Sequence, residues 1–243
     1  MKDYKIELEK RVAFISDVLK SSGASGIVYG NSGGKDSALV GILCKKACDN
    51  VLGIMMPCES KRNFNEDIDD GAEVAKQFSI NTKTFDLTPL KELFVDTLKD
   101  EINLTKEATS NINPRIRMTI LYAVAASQNM LVAGTGNKSE AHMGYFTKWG
   151  DGAHDFNPIA DLTVTEIYEF LEYLNAPESI IKKAPSAGLF EGQTDELEMG
   201  ISYKKIDDYI LNGVASEQDK QLIEKFHKKS EHKRKMPLTF GGN

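Results

Sequence analysis

Leu8, Val12, Ile15 and Leu19 recur at steps of four, three and four, which lays them along one face of a helix. The spacing predicts an amphipathic helix that ends near Ser21 to Gly23. A different pattern follows at 26–30, where Ile27, Val28 and Tyr29 form a short β-branched and aromatic core, succeeded by a glycine turn and a helical pattern from Lys35. Strand, tight loop, helix is the natural parse. The alternation predicts a strand over 51–56, a helix over 66–78, a strand over 82–86 and a helix over 90–100. A helix over 115–128 follows Pro114 and leads into a fourth apolar strand, 130–133, whose end delivers Gly134, Thr135 and Gly136. Alternating units of this kind imply an α/β fold, doubly wound, with a mostly parallel sheet and helices on both faces. Residues 144–158 are rich in glycine, aspartate and aromatics without a regular period, so they read as a long functional loop, after which helices resume at 165–174 and 202–211.

In such a sheet ligands bind beyond the carboxyl ends of the strands, near a topological switch point, so the loops after strands carry most of the information. The bulk properties narrow what those ligands are. With 243 residues, 41% hydrophobic and 27% charged, the chain can bury a full core as one large domain or two small ones. No apolar run is long enough to span a membrane. Residues 1–11 mix charged and apolar positions with no secretory core, and a cytoplasmic location is expected. Cys44, Cys48 and Cys58 have neither an even count nor a Cys-x-x-Cys spacing, which points away from a disulfide framework or a zinc site. His142 and His154 likewise lack companions at metal-ligand spacing. The net charge of −6 disfavours a general nucleic-acid binder, so an anionic substrate must meet a local basic patch. One exists at His227, Lys228, Lys229, His232, Lys233, Arg234 and Lys235.

The run Gly30-Asn31-Ser32-Gly33-Gly34-Lys35-Asp36-Ser37 nearly matches a Walker A loop but fails it twice. Asp36 stands where the magnesium-binding hydroxyl is required, and Tyr29 where the first glycine is required. What remains is an anion cradle. Two glycines let the backbone approach a phosphate, Ser32 and Ser37 offer hydroxyls, and the following helix points its amides and positive dipole end at the anion. An aspartate inside that cradle repels phosphate unless a cation intervenes, which makes Asp36 a candidate magnesium ligand. The plainer alternative is a strand-to-helix turn with Asp36 placed favourably in the first helical turn.

Ser32-Gly33-Gly34-Lys35-Asp36-Ser37 resembles the S-G-G-x-D-S loop of the ATP-pyrophosphatase superfamily, whose members split ATP between its α and β phosphates. Further segments are similar, in order and spacing, to the NAD synthetase family: 111–118, 134–140, and 144–152 continuing to Asp155 and Pro158. The segments 183–188, Asp195-Glu196, Tyr203, 206–209 and 231–234 complete the match. The resemblance implies an adenine nucleotide alpha hydrolase-like fold and an ammonia-dependent ligase. ATP would contact Gly30, Asn31, Ser32, Gly33, Gly34, Lys35, Asp36, Ser37, Thr135 and Ser186, and Asp36 with Glu140 would hold magnesium. Deamido-NAD would contact Arg115, Lys148, Asp155, His232 and Lys233, and Asp151 would sit where ammonia arrives. A homodimer is implied too.

The chemistry suits those residue types. Both nucleotides are anionic, so a carboxylate attacking the α-phosphorus needs metals and cationic side chains along its approach. Ammonia is mainly ammonium in neutral water, and a carboxylate such as Asp151 can attract the cation and take its proton. Tyr145, Phe146 and Trp149 fit either stacking on a nucleotide ring or anchoring their loop. Three positions depart from the family pattern: Val164 stands where a lysine usually contacts ATP phosphate, leaving Lys35 or Lys138 to compensate, Ser186 replaces a common threonine but keeps the hydroxyl, and Gly188 replaces a common aspartate. The expected protein is one synthetase domain over 1–243 without a glutaminase domain. It would adenylylate deamido-NAD and then amidate it with ammonia to NAD. Rival readings are another adenylating ligase of the superfamily, GMP synthetase-like, and a non-catalytic nucleotide sensor.

Overall fold

The computed structural model describes residues 2–60, 64–183 and 195–241. The first helix, α1 (Tyr4–Ser22), starts where the Asp3 carboxylate accepts from the amides of Lys5 and Ile6, and stops at Gly23, whose left-handed backbone returns its N–H to the Leu19 carbonyl. It feeds β1 (Gly26–Gly30), and the chain continues through α2 (Lys35–Ala47), β2 (Val51–Met55), α3 (Glu66–Gln77), β3 (Asn81–Thr84), α4 (Thr88–Leu98), α5 (Lys106–Ser110), α6 (Ile112–Gln128) and β4 (Met130–Ala133). The four strands form a parallel sheet in the order β3-β2-β1-β4. Successive strands run outward from β1 to β3, and the chain then crosses back to place β4 on the free side of β1. The reversal puts the switch point between β1 and β4, where the loops after both strands open into one crevice.

Alternation along β1 decides which face each side chain serves. Ile27 and Tyr29 join the helix-covered cluster that also holds Ile15 of α1 and Leu39, Ile42 and Leu43 of α2. Val28 points the other way, to a cluster with Ile54, Val132 and, from α6, Ile116. Both faces are covered, as the fold class requires. A third cluster lies beyond the sheet. It gathers Met143 of α7 (Lys138–Met143), Val164 of α8 (Val164–Tyr173), Met199 of α10 (Asp195–Met199), Ile206 of α11 (Tyr203–Asn212) and Ile223 of α12 (Glu217–Lys229); the short α9 (Glu178–Ile181) packs instead on the first cluster.

Several boundaries differ from the sequence reading. Helix α6 begins three residues earlier than expected, because Pro114 sits in its first turn, where a missing N–H costs nothing. Strand β3 covers 81–84 rather than 82–86; its side chains are polar and mostly exposed, so it has no apolar pattern to read. The charged segment that carries the basic patch is a helix, α12, capped by the Ser216 hydroxyl on the Asp219 amide, followed by a 3-10 turn over Glu231–Lys233. Arg11 ties α1 to the approach of α8. Its guanidinium donates to the Pro158 carbonyl at 2.5 Å, to both Asp161 carboxylate oxygens at 2.7 and 2.8 Å, and to Glu7 at 2.8 Å.

Candidate active site

The loop after β1 is shaped by its own polar groups. Asn31 is buried and donates its amide to the Gly71 carbonyl at 3.0 Å, fixing the loop against α3. Gly33 has φ +67 and rests on α3, so a Cβ there would fall 2.1 Å from the Asp67 carbonyl oxygen; only glycine meets both demands. The Ser32 and Ser37 hydroxyls lie 3.0 Å apart, and Ser37 also donates to the Gly34 carbonyl. Gly34 caps α2 without a side chain covering the first amides. The first turn of α2 therefore keeps donors available to an anion.

Two acids face one another across the crevice. Asn137 donates from its side-chain amide to Asp36 Oδ1 at 3.0 Å, and from its backbone to Glu140 Oε2 at 3.2 Å, while its Oδ1 accepts the Glu140 amide at 2.9 Å. This capping box opens α7 and aims the Glu140 carboxylate at α2. Burial, with the charge of Asp36 next, raises the Glu140 carboxyl well above its ordinary range, against the pull of Lys35. Lys35 lies beside both acids, 2.7 Å from Asp36 Oδ2 and 4.0 Å from Glu140 Oε1. Burial opposes its charge, but the two carboxylates prevail and hold the ammonium above its usual pKa.

The other end of the crevice is cationic. Asp151 accepts the Thr147 amide at 2.9 Å; desolvation raises its carboxyl, opposed by that bond and by the charges of Lys233 and Arg117. Lys233 donates to the Gly144 and Phe146 carbonyls at 2.8 and 2.6 Å and lies 5.3 Å from the Phe146 ring centroid. Lys148 donates to the His232 carbonyl at 2.7 Å, and Arg115 to the Lys148 carbonyl at 3.4 Å. Arg117 donates Nε to the Met56 carbonyl at 3.2 Å, and burial lowers its pKa. These groups and the acid pair line a single cavity of about 960 Å³.

Most of the expected site residues meet there. Gly30, Asn31, Ser32, Gly34, Lys35, Asp36, Ser37, Thr135 and Glu140 line one part, and Arg115, Lys148, Asp151, His232 and Lys233 the other. Gly33 supports the loop from behind. Asp155 does not line the cavity; its carboxylate accepts the Val132 amide at 2.8 Å and the Tyr122 hydroxyl at 3.4 Å. Ser186 and Gly188 lie outside the described residues. Lys183 and Arg117 also line the cavity and received no role in the sequence reading. Lys183 bonds the Gly33 carbonyl at 3.2 Å, Asp67 at 2.7 Å and Asp70 at 2.5 Å, so it clamps the phosphate loop to α3. Arg117 stands two residues after Arg115; that second guanidinium in one short motif was the available signal.

Among the described residues no group of three or more His, Cys, Asp or Glu could hold a metal. The pair Asp36 and Glu140 still suits magnesium, which binds through one or two carboxylates and completes its shell with waters and substrate phosphate oxygens. The buried ammonium already standing between them shows that the pair accepts a cation.

The family model described as NAD synthase matches residues 7–237. The chain is 47% identical over 232 residues to an NH(3)-dependent NAD(+) synthetase of Carboxydothermus hydrogenoformans, covering 94% of each. The fold superposes on an NMN synthetase from Francisella tularensis with a TM-score of 0.91 at 35% identity, covering 98% of this chain and 99% of that one. An NH3-dependent NAD synthetase from Campylobacter jejuni superposes at a TM-score of 0.80 with 33% identity and the same coverage.

Proposed function

This chain belongs to the NAD synthase family, and on that premise we propose that it joins ammonia to the nicotinate carboxylate of deamido-NAD by way of an adenylylated intermediate. It is an enzyme, a ligase that forms a carbon–nitrogen bond and uses ATP as co-substrate. The observation that carries the reading is the single cavity with an anion loop and acid pair at one end and a cationic wall at the other. ATP and a second anionic nucleotide can face each other there.

In the first half-reaction a carboxylate oxygen of deamido-NAD attacks the ATP α-phosphorus, the bond from that phosphorus to the bridging oxygen breaks, and pyrophosphate leaves. The amides of the α2 N-terminus and the loop after β1 hold the departing phosphates. Thr135 borders the same space, and Ser186 is assigned to ATP on the resemblance alone. Asp36 and Glu140 would hold magnesium, which would supply charge neutralisation at the phosphates. Arg115, Lys148, His232 and Lys233 bring the acceptor in. In the second half-reaction ammonia attacks the acyl carbon and AMP leaves with the oxygen it acquired. Asp151 attracts ammonium and takes its proton, a role suited to a carboxylate whose proton affinity is raised above normal.

Asp155 lies outside the cavity of one chain, so its contact with deamido-NAD fits a site completed in a homodimer. A single synthetase domain accounts for residues 1–243, fed with free ammonia. No helix among the described residues is long and apolar enough to cross a membrane, and a cytoplasmic enzyme would share its compartment with the nucleotide pool. The likeness to an NMN synthetase favours a second acceptor, nicotinate mononucleotide, which carries the same carboxylate without the adenylate half.

Exchange of labelled pyrophosphate into ATP tests the first step. It should require deamido-NAD and proceed without ammonium. Asp151→Asn should keep that exchange while amidation falls about 10²-fold or more. Loss of both activities together in a folded Asp151→Asn protein would contradict the assignment.

A further inference from the structure

Lys35 occupies the place between Asp36 and Glu140 that a divalent cation would need. Its side chain is 6% exposed, and its ammonium lies 2.7 Å from one acid, 4.0 Å from the other and 5.7 Å from the Tyr203 ring centroid. Asn137 already serves Asp36 Oδ1 and Glu140 Oε2. Lys35 faces the two oxygens left over, Asp36 Oδ2 and Glu140 Oε1. Among the described residues, no other cation is seen to do this work. Lys138 does not line the cavity, Lys183 is committed to Asp67 and Asp70, and Val164 is sealed in the third apolar cluster at 3% exposure.

A bare acid pair beside an anion cradle would repel the nucleotide, and a metal arriving first would meet a lysine of its own charge. We propose that Lys35 is a built-in counter-ion that excludes divalent metal from the free enzyme and exchanges partners when metal-nucleotide enters. Its ammonium then leaves the carboxylates for a phosphate oxygen while metal takes the acid pair. Metal and ATP thereby bind as a coupled unit, and one lysine sets the coupling. The inference rests on the assignment of ATP and magnesium to this end of the cavity.

Equilibrium binding of Mn²⁺, followed by its electron paramagnetic resonance signal with and without ATP and no acceptor present, measures the coupling directly. Wild type should bind Mn²⁺ weakly alone and about tenfold more tightly with ATP. Lys35→Met should bind Mn²⁺ alone about tenfold better than wild type and ATP more weakly, so that the coupling collapses. Lys138→Met should behave as wild type. Mn²⁺ binding that rises equally with ATP in wild type and Lys35→Met overturns the proposal alone. Absence of Mn²⁺ binding even with ATP overturns the metal assignment and the proposal with it.

Wild-type protein supplies a second readout that needs no variant: acylation of Lys35 by an amine-reactive ester, followed by peptide mass spectrometry. High Mg²⁺ alone should raise labelling, and ATP with Mg²⁺ should suppress it. Labelling indifferent to both contradicts the exchange.

Discussion

Glu140 shows how a side chain assigned to the site can be costly to the fold. Its raised carboxyl pKa means that the folded protein holds a proton which the unfolded chain has released. Below the ordinary carboxylate range both states are protonated and the group is neutral to stability. As pH rises through that range toward the folded value, stability is progressively lost. Glu140→Gln should therefore match wild type in acid and melt higher than wild type at neutral and alkaline pH in metal-free buffer, while catalysis fails. Thermal melts across pH check this; a Gln variant less stable than wild type at neutral pH would contradict it. Asp36 and Glu140 were legible because each sits in a short motif at a strand end. Lys183 was not assigned, because its function as a clamp depends on Asp67 and Asp70, more than a hundred residues away. Asp155 was assigned on resemblance, and in a single chain its carboxylate is engaged by the β4 backbone.

Elements were most readable where apolar period and a terminal signal coincided. Strand β1 and helix α2 meet that condition, and so does β4. Strand β3 does not, because an exposed edge strand buries too little to impose a pattern. Helix α12 escaped because its charged surface hides the apolar side: Ile223 is its only fully buried side chain among the described residues, although Ser216 and Asp219 mark its cap. What joins elements is also hidden from local pattern, and Arg11 is the clearest case. Arg11→Met should cost about 1–3 kcal/mol, since the Pro158 carbonyl loses its donor and Asp161, largely exposed, contributes only a screened pair. The Arg11 hydrogen bond holds Asp161 below the ordinary carboxylate pKa. That share of stability is present above the ordinary range and is lost as pH falls through the depressed value. Denaturant unfolding should show the gap between wild type and Arg11→Met narrowing in acid.

At the scale of the molecule, the β3-β2-β1-β4 order converts a linear sequence of loops into one crevice. The loop after β1 and the loop after β4 meet at the switch point, more than a hundred positions apart in sequence, and this much follows from alternating strands and helices alone. The third apolar cluster could not be read in that way. It assembles short helices from the last third of the chain to carry the 3-10 turn of His232 and Lys233 against the loop of Lys148. A chain of net charge −6 thus presents a cationic wall where an anionic acceptor must enter. The most direct test is mass-spectrometric analysis of products from ATP, magnesium, ammonium and either deamido-NAD or nicotinate mononucleotide, omitting each component in turn. The account predicts NAD from deamido-NAD, with one AMP and one pyrophosphate per NAD and no product when any component is missing. Amidation of the mononucleotide with none of deamido-NAD, or ATP cleaved to ADP and phosphate, would contradict it.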